Sequence, residues 1–425
     1  MDELRAQLGG PLPEGPQEPK DVIDALVAAA EPGIVAIPSG RYFGFVIGGS
    51  VPAALAADWL TSTWDQNAGL YAGGPSAAVV EEVCIEWLRD LLGLPEGVSA
   101  AFVTGCQMAH VTALAAARFE VLRRAGWDVN AQVLAGAPPI RVVTGDLRHV
   151  TVDRALRLLG IGASQIELVP TDDAARMDAE ELANALARVD APTVVVAQAG
   201  EVNTGAFDPL DAIADACGEH GAWLHVDGAF GLWAAASAEL RHLVDGVGRA
   251  DSWATDAHKW LNVPYDSGLA FCAHPEVHRA AMSVQAAYLV QADDGGPRDQ
   301  MDWTPEFSRR ARGFAIYAAL RSLGREGVAA MVERCCAHAR RFADELGAGG
   351  AEVLNDVVLN QVLVSFGDDE ATGAVLDRVR DDGTLFASGT SFRGRRAMRV
   401  SVSNWQTSEE DVDRSVAAIL AAARG

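Results

Sequence analysis

Lysine is rare in this chain, and one of its two lysines lies in a segment suited to chemistry. Of the 34 basic residues, only Lys20 and Lys259 are lysines. Lys20 lies in a leader rich in proline, glycine and glutamate, whereas Lys259 lies among aromatic and apolar residues. Arginine can replace lysine as a surface charge, but it cannot form a Schiff base. The sequence therefore favours a chemical role for Lys259, and chance retention of two lysines is the alternative.

Other polar residues come where predicted strands end. They are Thr104, Gly105, Cys106, His149, Asn203, Asp227, Asp256 and His258. In open α/β sheets, ligands bind beyond the carboxyl ends of the strands. Each residue also has a simpler interpretation: 104–110 could be an ordinary turn, Asp227 a helix cap, and His149 or His258 a structural residue. Because they recur at five strand ends, a shared site is the stronger prediction.

The elements that must position these residues alternate between strands and helices. Seven β-rich runs are predicted as strands, at 100–104, 140–144, 165–169, 193–198, 222–227, 251–255 and 269–273. Helical patterns are predicted at 77–92, 107–125, 150–159, 178–188, 210–220 and 235–244. Strands separated by helices indicate βαβ units, so the fold class is predicted to be α/β with a mostly parallel sheet.

The two ends of the chain differ from this central rhythm. Residues 1–20 are predicted to be a loose arm, 21–31 a short helix and 306–345 strongly helical, and the tail then reads strand–helix–strand–helix. We expect an N-terminal arm with helices over 1–60, a large domain over 61–305, and a small α+β domain over 306–425.

Composition excludes several classes of function. The chain has 425 residues, 49% of them hydrophobic and 22% charged, as in ordinary globular proteins. Its net charge of −24 disfavours binding to nucleic acid or anionic lipid. The N-terminus lacks a signal pattern, and no apolar run approaches the roughly 18 residues of a membrane helix. The six cysteines form no CxxC pair, so a cytoplasmic protein without a metal site is expected.

The polar residues together meet the needs of one cofactor. Pyridoxal phosphate requires a lysine, an acid beside its ring nitrogen, a cradle for its phosphate, and a small or flat group on each ring face. Lys259 and Asp227 meet the first two needs, the backbone of 104–107 the third, and His149 with Ala229 the fourth. A zinc site, a P-loop or a serine triad would account for fewer of these residues.

With these residues in place, the chain resembles the group II pyridoxal-phosphate-dependent amino acid decarboxylases, which include the aromatic-L-amino-acid, tyrosine and glutamate decarboxylases. The resemblance extends from about Arg41 to Trp405. Its most specific segments are DSWATDAHKWLNVPYDSG (251–268) and HVDGAFG (225–231). The other matching segments are RYFGFVIGG (41–49), PAALAADWL (52–60), FVTGCQMAHVTALAAAR (102–118), DLRHVTVDRALRLLG (146–160), AGEVNTGAFDPL (199–210) and AMRVSVSNWQT (397–407).

The resemblance implies a fold-type-I large domain, a smaller C-terminal domain, and a homodimer whose active sites lie at the subunit interface. It also implies α-decarboxylation of an amino acid. Lys259 is then expected to hold the cofactor, Asp227 to pair with the ring nitrogen, and His149 and Ala229 to cover the two ring faces. The remaining cofactor-binding residues implied are Gly105, Cys106, Gln107, Asn203 and His258.

Substrate contacts are predicted from fewer residues. Arg399 is expected to bind the substrate carboxylate, although a structural ion pair is an equal alternative. Phe45 and Trp64, together with Tyr42 and Phe43, are expected to line the side-chain pocket, although aromatic residues more often pack in a core.

A loop is predicted over QADDGGPRDQM (291–301), and it lacks the tyrosine that usually donates a proton in the family. This departure leaves three alternatives to simple decarboxylation. They are a Cα–Cβ lyase, a decarboxylating aldehyde synthase, and a catalytically silent binding subunit.

Overall fold

The computed structural model describes residues 1–284 and 296–425. Its α-helices are α1 (Asp2–Leu8), α2 (Pro19–Ala30), α3 (Pro52–Trp64), α4 (Pro75–Leu91), α5 (Cys106–Arg124), α6 (Val129–Gln132), α7 (Val150–Leu158), α8 (Ala179–Ala187), α9 (Leu210–His220), α10 (Pro275–Met282), α11 (Gly313–Ala348), α12 (Asp369–Asp382) and α13 (Glu409–Arg424). Its strands are β1 (Tyr42–Phe43), β2 (Ser99–Val103), β3 (Arg141–Gly145), β4 (Ile166–Val169), β5 (Thr193–Gln198), β6 (Trp223–Asp227), β7 (Ser252–Asp256), β8 (Gly268–Cys272), β9 (Glu352–Val353), β10 (Gln361–Ser365), β11 (Phe386–Phe392) and β12 (Arg395–Ser401).

The larger sheet has seven strands in the order β2-β8-β7-β6-β5-β3-β4. Neighbours from β7 to β4 pair in parallel, and β8 runs antiparallel to both of its neighbours. The prediction of a mostly parallel sheet is confirmed. All seven predicted strands are present. Every residue of the central strands β5, β6 and β7 is buried, as their β-branched and apolar runs predict.

Helices cover both faces of this sheet and create two apolar cores. Along β6, Trp223 packs with the residues of α5 and α7, whereas Leu224 and Val226 pack in the core on the opposite face. This alternation follows from the two-residue period of a strand. It directs Trp223, His225 and Asp227 toward α5, so one helix meets every second residue of the strand.

The smaller sheet has the order β1-β11-β12-β10-β9. Its first strand comes from the N-terminal part of the chain, and β1 pairs in parallel with β11. The predicted tail is wrong in two respects, because the pair β9 and β10 and the hairpin of β11 and β12 each stand where a single strand was predicted. Arg393 and Gly394 turn this hairpin with φ of 49° and 79°, the left-handed geometry that tight hairpins favour. The boundaries at 60/61 and 305/306 stay predictions.

Three helical predictions differ from the structure. The helix predicted at 235–244 is wrong: two 3₁₀ segments, Gly231–Ala236 and Arg241–Val244, take its place. The Ser237 hydroxyl oxygen accepts the N–H groups of Glu239 and Leu240, which competes with helical hydrogen bonding. The leader expected to be a loose arm contains α1. The predicted 306–345 helix begins only at Gly313.

Two findings bear on the environment of the chain. Among the described residues, no helix is both long enough and apolar enough to cross a membrane. The six cysteines are free and buried.

Candidate active site

A cavity of about 290 Å³ lies beyond the carboxyl ends of β5, β6 and β7, where Gln198, Asp227 and Asp256 end their strands. Nine of the predicted site residues line it. They are Phe45, Gly105, Cys106, Gln107, His149, Asp227, Ala229, His258 and Lys259. The strand ends therefore converge as the sequence predicts.

Lys259 lies in this cavity beside a buried carboxylate. Its Nζ is 3.0 Å from Asp256 Oδ2. Burial disfavours the ammonium form, but the charges of Asp256 and Asp227 and the hydrogen bond to Asp256 outweigh burial and raise the pKa of Lys259 to about 12. The lysine is therefore held as a cation against Asp256.

Asp256 also connects this lysine to the start of α5. Its Oδ1 accepts the Cys106 N–H at 2.6 Å and lies 3.3 Å from His258 Nε2. On the other side of its ring, His258 Nδ1 accepts the Ser267 N–H at 3.0 Å, so this nitrogen carries no proton. Burial lowers the pKa of His258, which favours a neutral ring that donates from Nε2.

Asp227 ends β6 as a buried anion. Its Oδ1 accepts the Ala229 N–H at 3.1 Å, and its Oδ2 lies 3.4 Å from His110 Nε2. Burial alone would raise the pKa of Asp227, but the contact with His110 and the cation of Lys259 outweigh it and hold that pKa well below its usual range. A permanent carboxylate here can keep a pyridine nitrogen protonated.

His149 is the N-cap residue of α7, and its backbone is still extended just before the helix begins. Its Nδ1 lies 2.7 Å from the Thr151 hydroxyl and accepts the Thr151 N–H at 3.4 Å. Burial lowers the pKa of His149, so the ring is neutral with its proton on Nε2. Gln107 Nε2 donates to the Thr151 carbonyl at 3.1 Å and joins α5 to this turn.

The turn into α5 offers backbone amides to an anion. The first N–H groups of a helix have no intrahelical acceptor and carry its positive dipole. A Cβ added at Gly105 would lie 3.1 Å from His258 Cε1, and one added at Gly268 would lie 2.4 Å from Gly105 Cα. The turn therefore keeps its place because both positions are glycine.

Asn203, Arg399 and Trp64 do not line the cavity. Asn203 Nδ2 donates to Glu201 Oε1 and its Oδ1 accepts from the Thr390 hydroxyl, each at 2.8 Å, so the protein itself satisfies this amide. Arg399 is buried in β12 between β10 and β11. Trp64 packs against Phe314 at the end of α3, with ring centroids 5.1 Å apart.

The other aromatic residues of the predicted pocket divide between cavity and core. Phe45 lines the cavity. Tyr42 stacks on Phe386 and Phe43 packs edge-on against Phe342, with centroid separations of 4.8 and 5.0 Å. Tyr42 and Phe43 are therefore buried and do not line the cavity, so the prediction that they line the pocket is wrong.

Sequence reasoning gave no role to four polar residues at this site: Thr151, Gln198, Asp256 and His110. It also missed Gly200, Val202 and Phe230, which line the cavity. Asp256 was among the strand-end polar residues but received no role. His110 follows Cys106 by one helical turn, a spacing that places both on one face of α5. The Cys106 sulfur, a ring nitrogen of His110 and a carboxylate oxygen of Asp227 lie within 4.8 Å of one another.

The predicted loop at 291–301 lies partly outside the described residues, because the structure describes only 296–301 of it. Within that part, the Met301 N–H donates to the Gly69 carbonyl at 2.9 Å. The sequence has a tyrosine, Tyr288, three residues before the segment. The lack of tyrosine in 291–301 therefore does not remove tyrosine from this part of the chain.

Comparison with known proteins agrees with this geometry. Residues 2–367 match the family model of the pyridoxal-dependent decarboxylase conserved domain. The aromatic-L-amino-acid decarboxylase of Bacillus atrophaeus is 30% identical over 329 residues, which are 76% of this chain and 66% of that protein. The cysteine sulfinic acid decarboxylase of Rattus norvegicus is 30% identical over 313 residues, 72% of this chain and 62% of that one. The alignments thus span slightly less than two thirds of these curated relatives.

A solved structure shows the same fold. The crystal structure of Oryza sativa TDC with PLP and tryptamine superposes with a TM-score of 0.92 at 24% identity, covering 99% of this chain and 91% of that one. This likeness confirms the predicted fold-type-I architecture.

Proposed function

Because this chain belongs to the pyridoxal-dependent decarboxylase family, we propose that it is a pyridoxal-phosphate-dependent decarboxylase that converts an α-amino acid into carbon dioxide and an amine. One observation carries the proposal: Lys259, Asp227 and His149, from three separate segments, line one cavity. Family membership gives the class of reaction, and this convergence supplies the groups it requires. The related decarboxylases named above act on different amino acids, so the proposal names no single substrate.

The donor set of the cavity fits the cofactor. Lys259 would hold it, Asp227 would pair with its ring nitrogen, and the amides at Gly105–Gln107 with His258 would bind its phosphate. Asp256 already accepts one of these amides, so the phosphate would rely on the rest of the turn. When bound, pyridoxal phosphate supplies an aldehyde that condenses with amines and a ring that delocalises the electron pair left when a bond to Cα breaks.

The residues of the chain then have separable tasks. Lys259 must lose a proton before its nitrogen can act as a nucleophile, and Asp256, at 3.0 Å, is placed to accept it. Asp227 stays ionised and holds a proton on the nitrogen opposite it. His149 presents a neutral ring whose Nε2–H can donate to a substrate carboxylate. Ala229 and Phe230 add apolar surface that helps to exclude water.

The active form is proposed to be a cytoplasmic homodimer. Every residue of α1 and α2 is at least partly exposed, including Ile23 and Leu26, which are 57% and 52% exposed. Phe45 lines the cavity and is 59% exposed. A second copy would cover these apolar surfaces and complete the site. Six free, buried cysteines suit a reducing compartment.

Carbon dioxide release from a panel of carboxyl-labelled amino acids tests the function. The holoprotein should release labelled carbon dioxide and an equal amount of amine from at least one member of the panel. Apoprotein prepared by cofactor removal should be inactive and should recover on addition of pyridoxal phosphate. Aldehyde, Cα–Cβ cleavage, or no turnover across the panel would contradict the proposal and favour one of the alternatives.

A further inference from the structure

A chain of buried hydrogen bonds leads away from Asp227, on the side opposite the cavity. His110 Nε2 lies 3.4 Å from Asp227 Oδ2, and His110 Nδ1 lies 2.9 Å from His225 Nε2. His225 Nδ1 lies 2.9 Å from Ser252 Oγ, which accepts the Trp223 indole N–H at 2.9 Å. The side chains of His110, His225, Ser252 and Trp223 are fully buried, and none of them lines the cavity.

The fold sets this alignment through two simple periods. Trp223, His225 and Asp227 alternate along β6 and face α5, and Ser252 lies opposite His225 in the register of β7. His110 faces the sheet one turn after Cys106. Because each of these residues lies on a helix or a strand, α5 and the sheet hold this series of hydrogen bonds in place, and no loop is involved.

The near end of this series of hydrogen bonds fixes the contact that matters most. An ionised carboxylate can only accept, so His110 carries a proton on Nε2, the nitrogen that faces Asp227. At the far end, an indole nitrogen can only donate, so Ser252 Oγ accepts from Trp223. His225 lies between these ends, with one ring nitrogen on His110 and the other on Ser252, and holds the His110 ring in place. Groups linked in such a series polarise one another.

We propose that His110 and His225 are positioning residues that keep Asp227 ionised and oriented, and so keep the cofactor ring nitrogen protonated. This inference rests on the proposed function. With His110 beside Oδ2 and the Ala229 N–H on Oδ1, both carboxylate oxygens have donors from the protein. The carboxylate then needs no proton of its own and can hold one on the ring nitrogen.

The charge state of the histidines agrees with this arrangement. Burial, aided by His110, lowers the pKa of His225 to about 3, against the opposing charge of Asp227. His225 is therefore neutral and carries its single ring proton on one of its two nitrogens. Cys106 Sγ lies 3.5 Å from His110 Nε2, and burial with the charges of Asp227 and Asp256 raises the pKa of that thiol well above its usual range. The thiol is therefore a neutral neighbour that does not compete as an anion.

The test is the ¹⁵N resonance of pyridoxal phosphate labelled at its ring nitrogen and bound to the holoprotein. Wild type should show a protonated ring nitrogen. His110→Leu, which removes the donor, should shift the resonance toward the neutral pyridine and lower kcat about tenfold or more with KM little changed. His110→Gln, which keeps an N–H donor, should restore much of the shift. Ser252→Ala, which changes the far end of this hydrogen-bond series, should give a smaller shift in the same direction.

His278→Gln is the matched control. His278 is also a fully buried histidine, with Nδ1 2.9 Å from the Ser99 hydroxyl, but its other nitrogen lies 2.9 Å from the Trp303 carbonyl and not near Asp227. This variant should lose stability and leave the resonance unchanged. If His110→Leu and Ser252→Ala behave like His278→Gln, the histidines have only a structural role and the inference is wrong. If wild type binds no pyridoxal phosphate, the proposed function fails first and the inference falls with it.

Discussion

At the scale of single residues, the site depends on two buried carboxylates that have different partners. Asp256 lies against the ammonium of Lys259, whereas Asp227 lies against His110 and the Ala229 N–H. Charges this deeply buried are stable only when paired or hydrogen-bonded. The two acids therefore have different environments, which suits the separate roles proposed for them: Asp256 faces a cation, and Asp227 accepts an N–H and faces a histidine.

Replacement of Asp227 by Asn should impair catalysis far more than cofactor binding. A neutral amide cannot hold the ring nitrogen protonated, so we expect kcat to fall about 10²–10³-fold, the cost of losing one preorganised charge. Lys259 and the turn at Gly105 would still retain the cofactor. Steady-state kinetics and the cofactor dissociation constant measure the two effects separately.

Asp208→Asn provides the control for that variant. Asp208 and Asp227 are both 5% exposed, but Asp208 accepts the N–H groups of Met177 and Gln198 and lies outside the cavity. Its loss should affect stability more than kcat. An Asp227→Asn protein with nearly normal turnover would show that Asp227 is structural.

Single residues differed in how well the sequence predicted them. Lys259, Asp227 and His149 follow strands whose apolar runs are clear, so their place at the edge of the sheet was predictable. Asn203 also follows a strand, but Glu201 and Thr390 satisfy its side chain, and those contacts depend on the tertiary fold. His110 was missed because its partner His225 is 115 residues away.

At the scale of elements, the phosphate turn is held by the contact between the start of α5 and β8. A Cβ on Gly268 would lie 2.4 Å from both Cα and C of Gly105. Because these are backbone atoms, the turn at Gly105 would have to shift. Gly268→Ala should therefore cost about 1–3 kcal/mol of strain at the turn. We expect the cofactor dissociation constant to rise about tenfold.

Titration of the apoprotein with pyridoxal phosphate measures this effect. Gly218→Ala is the control, because Gly218 lies within α9 and a Cβ there would meet no atom within 4 Å. That variant should bind the cofactor as wild type does. Equal affinity of the two variants would show that the turn tolerates displacement.

An ion pair between Asp251, just before β7, and His274, just after β8, gives stability a defined dependence on pH. His274 Nε2 lies 2.8 Å from Asp251 Oδ1, and Asp251 Oδ2 accepts the Leu224 N–H at 2.7 Å. The hydrogen bond to Asp251 raises the pKa of His274 above its ordinary value. A raised histidine pKa stabilises the fold fully below the unfolded-state pKa, and this contribution disappears as pH rises through the folded-state pKa.

His274→Gln should therefore lower Tm most below about pH 6 and least in alkaline solution. Thermal unfolding of wild type and variant across this range measures the difference. A gap in Tm that is independent of pH would mean that His274 contributes only by packing.

Elements were predictable where a local pattern decided the structure. Most strands of the large sheet were found because both of their faces are buried, which requires continuous apolar runs. In the edge strand β4 only Val169 is buried. The helix predicted at 235–244 is absent, because the Ser237 hydroxyl accepts backbone N–H groups there and redirects the backbone. The place of β1 beside β11 was also unpredictable, since two residues paired over more than 300 positions leave no local signal.

At the scale of the whole molecule, the N-terminal arm presents apolar side chains to solvent. Ile23 and Leu26 are more than half exposed on α2, a helix with no buried residue. If a second copy covers them, Leu26→Asp should raise the dimer dissociation constant at least tenfold, because it places a charge in an apolar interface. Sedimentation velocity should detect twice the 44.7 kDa chain for wild type and a shift toward the monomer for the variant.

Val189→Asp is the matched control, because Val189 is 51% exposed and Leu26 is 52% exposed. It should remain a dimer. Equal dissociation constants for the two variants would remove α2 from the interface, and a monomeric wild type would contradict the dimer altogether.

The central claim is that Lys259 holds pyridoxal phosphate, and peptide mapping after borohydride reduction of the holoprotein tests it most directly. Reduction fixes the cofactor covalently to the lysine that binds it, and the chain offers only Lys20 and Lys259. The account predicts the label on Lys259, its retention in Lys20→Ala, and its loss together with all turnover in a folded Lys259→Ala protein. A label on Lys20, or a wild type that acquires no label, would contradict the account.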